Sequence, residues 1–273
     1  MPLQPAPAVQ FLAGMVITCG AVLALGVYTL LPDGRLTSLL REFARTDWKY
    51  IGVAWLVTAL VNELAKFHQP LMFTTHIYGL EGNAVAAFQA VTALPLTLFF
   101  SAVYLVGFPF LVLFTYFKLK AHAEEEAYRY ALAYVCLVVL SAPLFVLFPA
   151  RVVGPFLPQV KPLLYSLHPA IWAGLSATDT LVKSFPSLHT ALSTLVALFA
   201  RGTTKRFAYT VYVLAASIVF STFYLGMHWF VDAGFAIVLA VAAYAVATRV
   251  DPDRVLPFPG YRWVVRSIAS RGD

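Results

Sequence analysis

Long apolar runs alternate with short polar stretches along most of the chain. Each run reaches or approaches the roughly 20 apolar residues that a helix needs to cross a bilayer core. The runs cover residues 11–31, 92–117, 128–149, 184–200, 207–226 and 229–248. The sequence therefore predicts an all-α fold, a polytopic transmembrane helix bundle with about six spans.

Residues 36–68 fit this pattern less well. Arg41 and Arg45 lie four positions apart beside apolar neighbours, as in a helix at a membrane surface. The following stretch is apolar, but it ends in polar and charged residues that are costly in lipid, namely Asn62, Glu63 and Lys66. We expect an interfacial or re-entrant helix here.

The composition limits the partners of the chain. Hydrophobic residues make up 60% of its 273 positions and charged residues 12%, so lipid is the solvent for most of it. The net charge of +6 would suit nucleic acid in a soluble domain, but the basic residues are dispersed between apolar runs, where they anchor spans and meet headgroups. Cys19 and Cys136 lie within apolar runs and predict neither a disulfide nor a metal site. The bilayer is the expected partner, and nucleic acid is not.

The basic residues also predict an orientation. If the N-terminus is cytoplasmic, most of the Lys and Arg residues near span ends fall on the cytoplasmic side. These residues are Lys118, Lys120, Arg201, Lys205, Arg206, Arg249, Arg254, Arg262, Arg266 and Arg271. With six spans, the 150–183 loop and the Gly226–Met227 turn then lie on the extracytoplasmic face, in an integral protein of the cell membrane. If the 50–66 stretch also spans, the later helices keep this orientation and only the N-terminus changes sides.

The segment KSFPSLHT, residues 183–190, begins the fourth span. Pro186 suits the first turn of a helix, so Ser187 and His189 are expected at the start of that span. A helix N-terminus offers free amides and a positive dipole end, which together suit a phosphate.

A second segment, STFYLGMHWFVD, residues 221–232, places His228 and Asp232 four positions apart. On a helix the two side chains share one face, so the carboxylate can hold the imidazole and leave its other nitrogen free to attack. His228 is thus the candidate nucleophile and Asp232 its partner. His189 is the candidate acid for the leaving oxygen.

These segments resemble the type 2 phosphatidic acid phosphatase superfamily. Its second motif, Pro-Ser-Gly-His, appears as Pro-Ser-Leu-His with Leu188 in place of Gly. Its third motif appears as Ser221-Thr222, five residues, His228, three residues and Asp232, with Thr222 in place of Arg. Both departures are similar to the inositol phosphorylceramide synthase branch, and the resemblance runs from about Phe148 onward.

The resemblance implies a lipid phosphatase or phosphotransferase that forms a phosphohistidine and needs no metal or cofactor. It also implies a membrane lipid phosphate as substrate. The orientation predicted from the basic residues puts the active site on the extracytoplasmic face. On this basis the chain divides into an N-terminal region (1–91), a phosphatase-like catalytic core (92–250) and a cytoplasmic tail (251–273).

The first motif of the family, Lys followed at a distance by Arg-Pro, is missing. A phosphoryl-transfer site needs positive charge, so another basic residue must supply what Thr222 cannot. We expect the phosphate to be bound by Ser187 together with Arg151, Lys183 or Lys161, with Arg151 first because a guanidinium grips two oxygens at once. Each of these cations could equally anchor a span end.

Other interpretations remain open from sequence. His228 and Asp232 could be a helix-capping pair, and with His189 they could bind a metal, although transition metals usually have more donors. The chain could also be a non-catalytic lipid-binding or transport protein with the same fold, which would not need His228. An ion pathway would spread polar residues through membrane depth, whereas here they cluster at one face.

Overall fold

The structure is a computed structural model that describes residues 6–31, 36–44, 48–67, 73–178 and 181–250. These ranges are built from helices, and one isolated bridge between Ala150 and Lys183 is the strand-like pairing among them. The all-α polytopic bundle expected from the sequence is confirmed. The helices are α1 (Pro7–Leu30), α2 (Leu36–Glu42), α3 (Trp48–Phe67), α4 (Thr74–Glu81), α5 (Leu94–Ala102), α6 (Phe108–His122), α7 (Glu124–Leu147), α8 (Val153–Phe156), α9 (Leu163–Ser166), α10 (Pro169–Thr178), α11 (Leu188–Ala200), α12 (Lys205–Tyr224) and α13 (Phe230–Arg249).

Five helical units in the described ranges are long and apolar enough to cross a membrane. They are α1, the continuous unit Leu94–His122 that joins α5 to α6 through a π-helical turn (Val103–Gly107), α7, α12 and α13. The sequence predicted each of them, in this order. The remaining predicted span, 184–200, forms α11, which has only 13 residues. It begins late because a residue that precedes proline avoids the helical region, and Pro186 is followed by the N-cap residue Ser187.

The stretch predicted as interfacial or re-entrant contains α2 and α3. The second of these, Trp48–Phe67, packs against α7, while α1 packs against α10 and α6. The N-terminal region thus lies along the outside of the later helices rather than apart from them. The predicted cytoplasmic tail, 251–273, lies outside the described residues.

A face of small residues on α13 allows the close packing that positions the site. Ala236, Ala240, Ala243 and Ala247 are fully buried and recur every three or four positions. Small side chains let helices approach closely in a bilayer, where dispersion contacts rather than water exclusion hold them together. The helix α13 packs against α11 and α7 through such contacts. The N-termini of α11 and α13 therefore come together at one end of the bundle.

Candidate active site

The turn between α12 and α13 is held against the 150–165 loop by a close backbone contact. Gly226 has a φ of +73°, and a Cβ on it would lie 2.9 Å from the Lys161 carbonyl oxygen. The Gly226 carbonyl accepts a hydrogen bond of 2.8 Å from the amide of Gly154. Glycine is required here because of the positive φ and the lack of space. The turn fixes the start of the segment that carries His228.

His228 is buried, and one of its ring nitrogens is fully engaged. The Nδ1 atom lies 3.0 Å from the carbonyl oxygen of Ser184 and 3.3 Å from Oδ2 of Asp232. Both atoms are acceptors, so Nδ1 carries the proton and donates to them. The lone pair then resides on Nε2, which is the nitrogen that a nucleophilic histidine uses.

Asp232 binds more than the imidazole. Its Oδ2 accepts hydrogen bonds from the amide of Trp229, at 2.9 Å, and from the hydroxyl of Ser184. The side chain is fully buried at the third position of α13, so the carboxylate caps the helix while it holds His228. The capping interpretation and the catalytic one are compatible, because one oxygen serves both purposes.

A second carboxylate, Glu81 at the end of α4, completes the N-terminus of α13. Its two oxygens accept hydrogen bonds from the amides of Phe230, at 3.0 Å, and Val231, at 2.8 Å. Burial raises the pKa of the Glu81 carboxyl above its usual value; the two amide bonds lower it, and the charge of Asp232 raises it further. The first amides of α13 are therefore satisfied by protein.

The N-terminus of α11 differs in this respect. The hydroxyl of Ser187 accepts a hydrogen bond of 3.2 Å from the amide of Thr190. The amides of Leu188 and His189 have no acceptor among the residues that the structure describes. Unpaired amides at a helix start, together with the positive end of the dipole, attract an anion. Of the two adjacent helix starts, α11 is the one whose first amides lack an acceptor among the described residues.

His189 is held between two aromatic rings from the α5–α6 unit. Its ring centre lies 4.0 Å from that of Tyr104 and 4.2 Å from that of Phe108. Tyr104 belongs to the π-helical turn, a distortion that is frequent at functional sites, and Phe108 follows it directly. The ring centres of His189 and His228 are 6.0 Å apart. The two imidazoles thus lie close together, at the start of α11 and just before α13.

The three candidate cations differ in their surroundings. Residues 150–152 pair with residues 181–184 through backbone hydrogen bonds of 2.9–3.0 Å, which brings the segments of Arg151 and Lys183 side by side. Arg151 is exposed, and its carbonyl accepts a bond of 2.8 Å from the Trp229 indole. Lys183 is buried, with its Nζ 5.3 Å from the centre of the Phe145 ring. Lys161 is exposed.

The structure brings four of the predicted site residues together, namely Ser187, His189, His228 and Asp232. Sequence reasoning missed three further residues that contact them, namely Ser184, Tyr104 and Phe108. It also missed Glu81, which accepts the amides of Phe230 and Val231 next to Asp232. Ser184 stands inside the motif-bearing segment and could have been found there. Within the described ranges, no group of three or more His, Cys, Asp or Glu residues is arranged to hold a metal ion.

Comparison with known proteins gives one family match and one similar solved structure. Residues 131–256 match the model of the PAP2 superfamily. A search of curated protein sequences gives no match. Among solved structures, the crystal structure of LpxE from Aquifex aeolicus is similar, with a TM-score of 0.51 and 19% sequence identity. The likeness covers 63% of this chain and 96% of the LpxE chain, and at this identity it shows a shared fold.

Proposed function

We propose that the chain is an integral membrane enzyme that takes the phosphate from a lipid phosphate through a phosphohistidine at His228. The observation that carries this proposal is the engagement of Nδ1 by the Ser184 carbonyl and Asp232, which leaves Nε2 as the free nucleophile. The PAP2 superfamily match over residues 131–256 supports the same chemistry. A non-catalytic lipid-binding protein would have no use for an imidazole prepared in this way.

In the first step, Nε2 of His228 attacks phosphorus and the ester P–O bond of the lipid breaks. His189 donates its proton to the departing lipid oxygen, so the lipid leaves as an alcohol. The charge that develops on the imidazole of His228 is balanced by Asp232. The non-bridging phosphate oxygens accept hydrogen bonds from the open amides of Leu188 and His189.

In the second step, an acceptor hydroxyl attacks the phosphohistidine. His189 takes the proton of that hydroxyl, the P–N bond breaks, and Nε2 of His228 is released. Water as acceptor makes the enzyme a phosphatase, and a lipid or polyol hydroxyl makes it a transferase. Leu188 and Thr222 are similar to the residues at these motif positions in the inositol phosphorylceramide synthase branch, and this similarity favours transfer over hydrolysis.

A cation must complete the phosphate site, because the transition state spreads negative charge over its equatorial oxygens. Arg151 is the first candidate, since its backbone is tied to Trp229 beside His228 and its side chain is exposed. An Arg151→Met variant should lose more of kcat/KM for a lipid phosphate than Lys161→Met or Lys183→Met. The distribution of basic residues along the sequence supports a site on the extracytoplasmic face.

The deciding experiment uses purified protein and a panel of lipid phosphates carrying radiolabelled phosphate, with and without candidate alcohols. Free phosphate and labelled transfer product are separated and counted, so that product identity distinguishes phosphatase from transferase. Rapid quenching should give a protein-bound label that is stable in base and lost in acid, as expected for a phosphoramidate. The label should be absent from a His228→Asn variant that still binds lipid. Turnover by that variant at the wild-type rate would refute the proposal.

A further inference from the structure

An apolar cavity of about 550 Å³ lies beside the candidate active site. Its walls come mainly from α1, α6 and α7, with single contributions from α3, α10 and α11. None of the described residues that line it is charged. A cavity of this size and lining is typical of a site for an apolar small molecule.

The cavity and the active site share a wall. Phe108 lines the cavity and also packs on the ring of His189, at 4.2 Å between ring centres. Leu192, one turn beyond His189 on α11, lines the cavity as well. A ligand whose phosphate lies between the two imidazoles can therefore place an apolar chain around Phe108 and into this space.

The outer wall of the cavity is α1, and this wall is both fixed and open to lipid. Phe11 fits so closely over Gly174 of α10 that a Cβ on that glycine would lie 1.9 Å from the Phe11 ring, which keeps the two helices in register. Val16 lines the cavity and yet is 72% exposed. A hydrocarbon chain could thus enter sideways from the bilayer while its headgroup stays at the site.

We infer that this cavity binds one hydrocarbon tail of the lipid phosphate substrate, an inference that rests on the proposed function. The tail site extends beyond the PAP2 superfamily match, because α1 and α6 precede residue 131. The size of the cavity sets a limit on the tail, so the N-terminal helix determines which lipids are used. Short-chain substrates should gain little from it.

Met15→Trp tests this inference because it fills the cavity from α1, and Ile17→Trp is the matched control. Ile17 is 70% exposed, lies two positions further along α1 and does not line the cavity. With dioleoyl phosphatidic acid, Met15→Trp should raise KM roughly tenfold, since a few buried methylenes account for such a factor. With dihexanoyl phosphatidic acid, neither variant should change KM more than about twofold. Equal effects of the two variants on the long-chain lipid would overturn the inference.

Photocrosslinking tests the tail site in a protein that does not turn over the substrate. A phosphatidic acid with a diazirine at the end of one tail should label peptides of α1 and α6 in the inactive His228→Asn protein, and Met15→Trp should abolish this labelling. Labelling elsewhere, or labelling that Met15→Trp leaves unchanged, would refute a tail site. A diacylglycerol probe of equal length that labels α1 as strongly, without competition from phosphatidic acid, would show a general lipid site instead. Failure of the proposed chemistry would appear separately, as wild-type protein that binds the probe but releases no phosphate.

Discussion

Asp232→Asn tests how the nucleophile is prepared. The substitution keeps the shape of the side chain and leaves an oxygen that can accept the amide of Trp229, but it removes the negative charge beside His228. The tautomer of His228 should survive, because the Ser184 carbonyl lies 3.0 Å from Nδ1, closer than the carboxylate at 3.3 Å. Only the stabilisation of the charged imidazolium is lost.

The size of the effect follows from this geometry. A hydrogen bond to a charged group contributes about 1.5–3 kcal/mol, which corresponds to a loss of about 10- to 150-fold in kcat. Where a carboxylate alone sets the tautomer of a catalytic histidine, its amide replacement costs about 10⁴-fold. Asp232→Asn should therefore remain measurably active.

The assay is the steady-state release of phosphate from a lipid phosphate in detergent micelles at neutral pH, with kcat and KM determined separately. Stability is measured in parallel, because Oδ1 of Asp232 has no hydrogen-bond partner among the described residues. The new amide group would be buried there without an acceptor, so the free energy of unfolding should fall by about 1–3 kcal/mol. A loss in kcat near 10⁴-fold in folded protein would show that the Ser184 carbonyl does not hold the tautomer. A loss below about threefold would show that the carboxylate does not stabilise the imidazolium.

Three further predictions concern the surroundings of this pair. His189→Asn should lower kcat/KM, which reports the first step and not the breakdown of the phosphohistidine, by about 10²- to 10⁴-fold for a lipid phosphate. It should lower kcat/KM for p-nitrophenyl phosphate much less, because that leaving group departs without a proton; equal losses in kcat/KM would remove His189 from the acid role. Gly226→Ala should lower the thermal unfolding midpoint, since the left-handed backbone costs about 1–2 kcal/mol and the Cβ meets a carbonyl; an unchanged midpoint would contradict this. Glu81→Gln should flatten the pH dependence of stability. The Glu81 carboxyl has a pKa above its ordinary 4.5, so in this pH range the folded protein binds more protons than the unfolded protein. The free energy of unfolding therefore falls as pH rises from 4.5 through the raised pKa. Thermal melts across this window check the sign, and a slope that persists in the variant would assign it to another group.

The parts of this structure that sequence could predict are those with a local signal. Long apolar runs marked the spans because crossing a bilayer needs length. The spacing of His228 and Asp232 predicted that the two side chains meet. The predicted shared helical turn was wrong, because His228 lies before the N-cap residue Trp229 and only Asp232 belongs to α13. The start of α11 was placed four residues early because Phe185 and Pro186 belong to an apolar run although they are not helical. Hydropathy alone does not show at which residue a helix begins.

The residues that could not be predicted act across long chain separations. Glu81 lies about 150 positions before the amides that it accepts from, and nothing in its neighbourhood marks it as a capping residue. Tyr104 and Phe108 stand in an ordinary apolar run, where an aromatic residue facing lipid looks the same as one facing His189. Only the packing of α6 beside α11 distinguishes them.

The hydrogen bonds of Glu81 to α13 bear on how the protein should be handled at the bench. A recombinant fragment of residues 131–256 would keep His228, Asp232 and His189. It would lack the Glu81 carboxylate, which accepts the first amides of α13, and the Tyr104 and Phe108 rings, which flank His189. Such a fragment would retain every motif and lose the scaffold that aligns them. Expression and domain-swapping experiments should therefore include α4 and the α5–α6 unit together with residues 131–256.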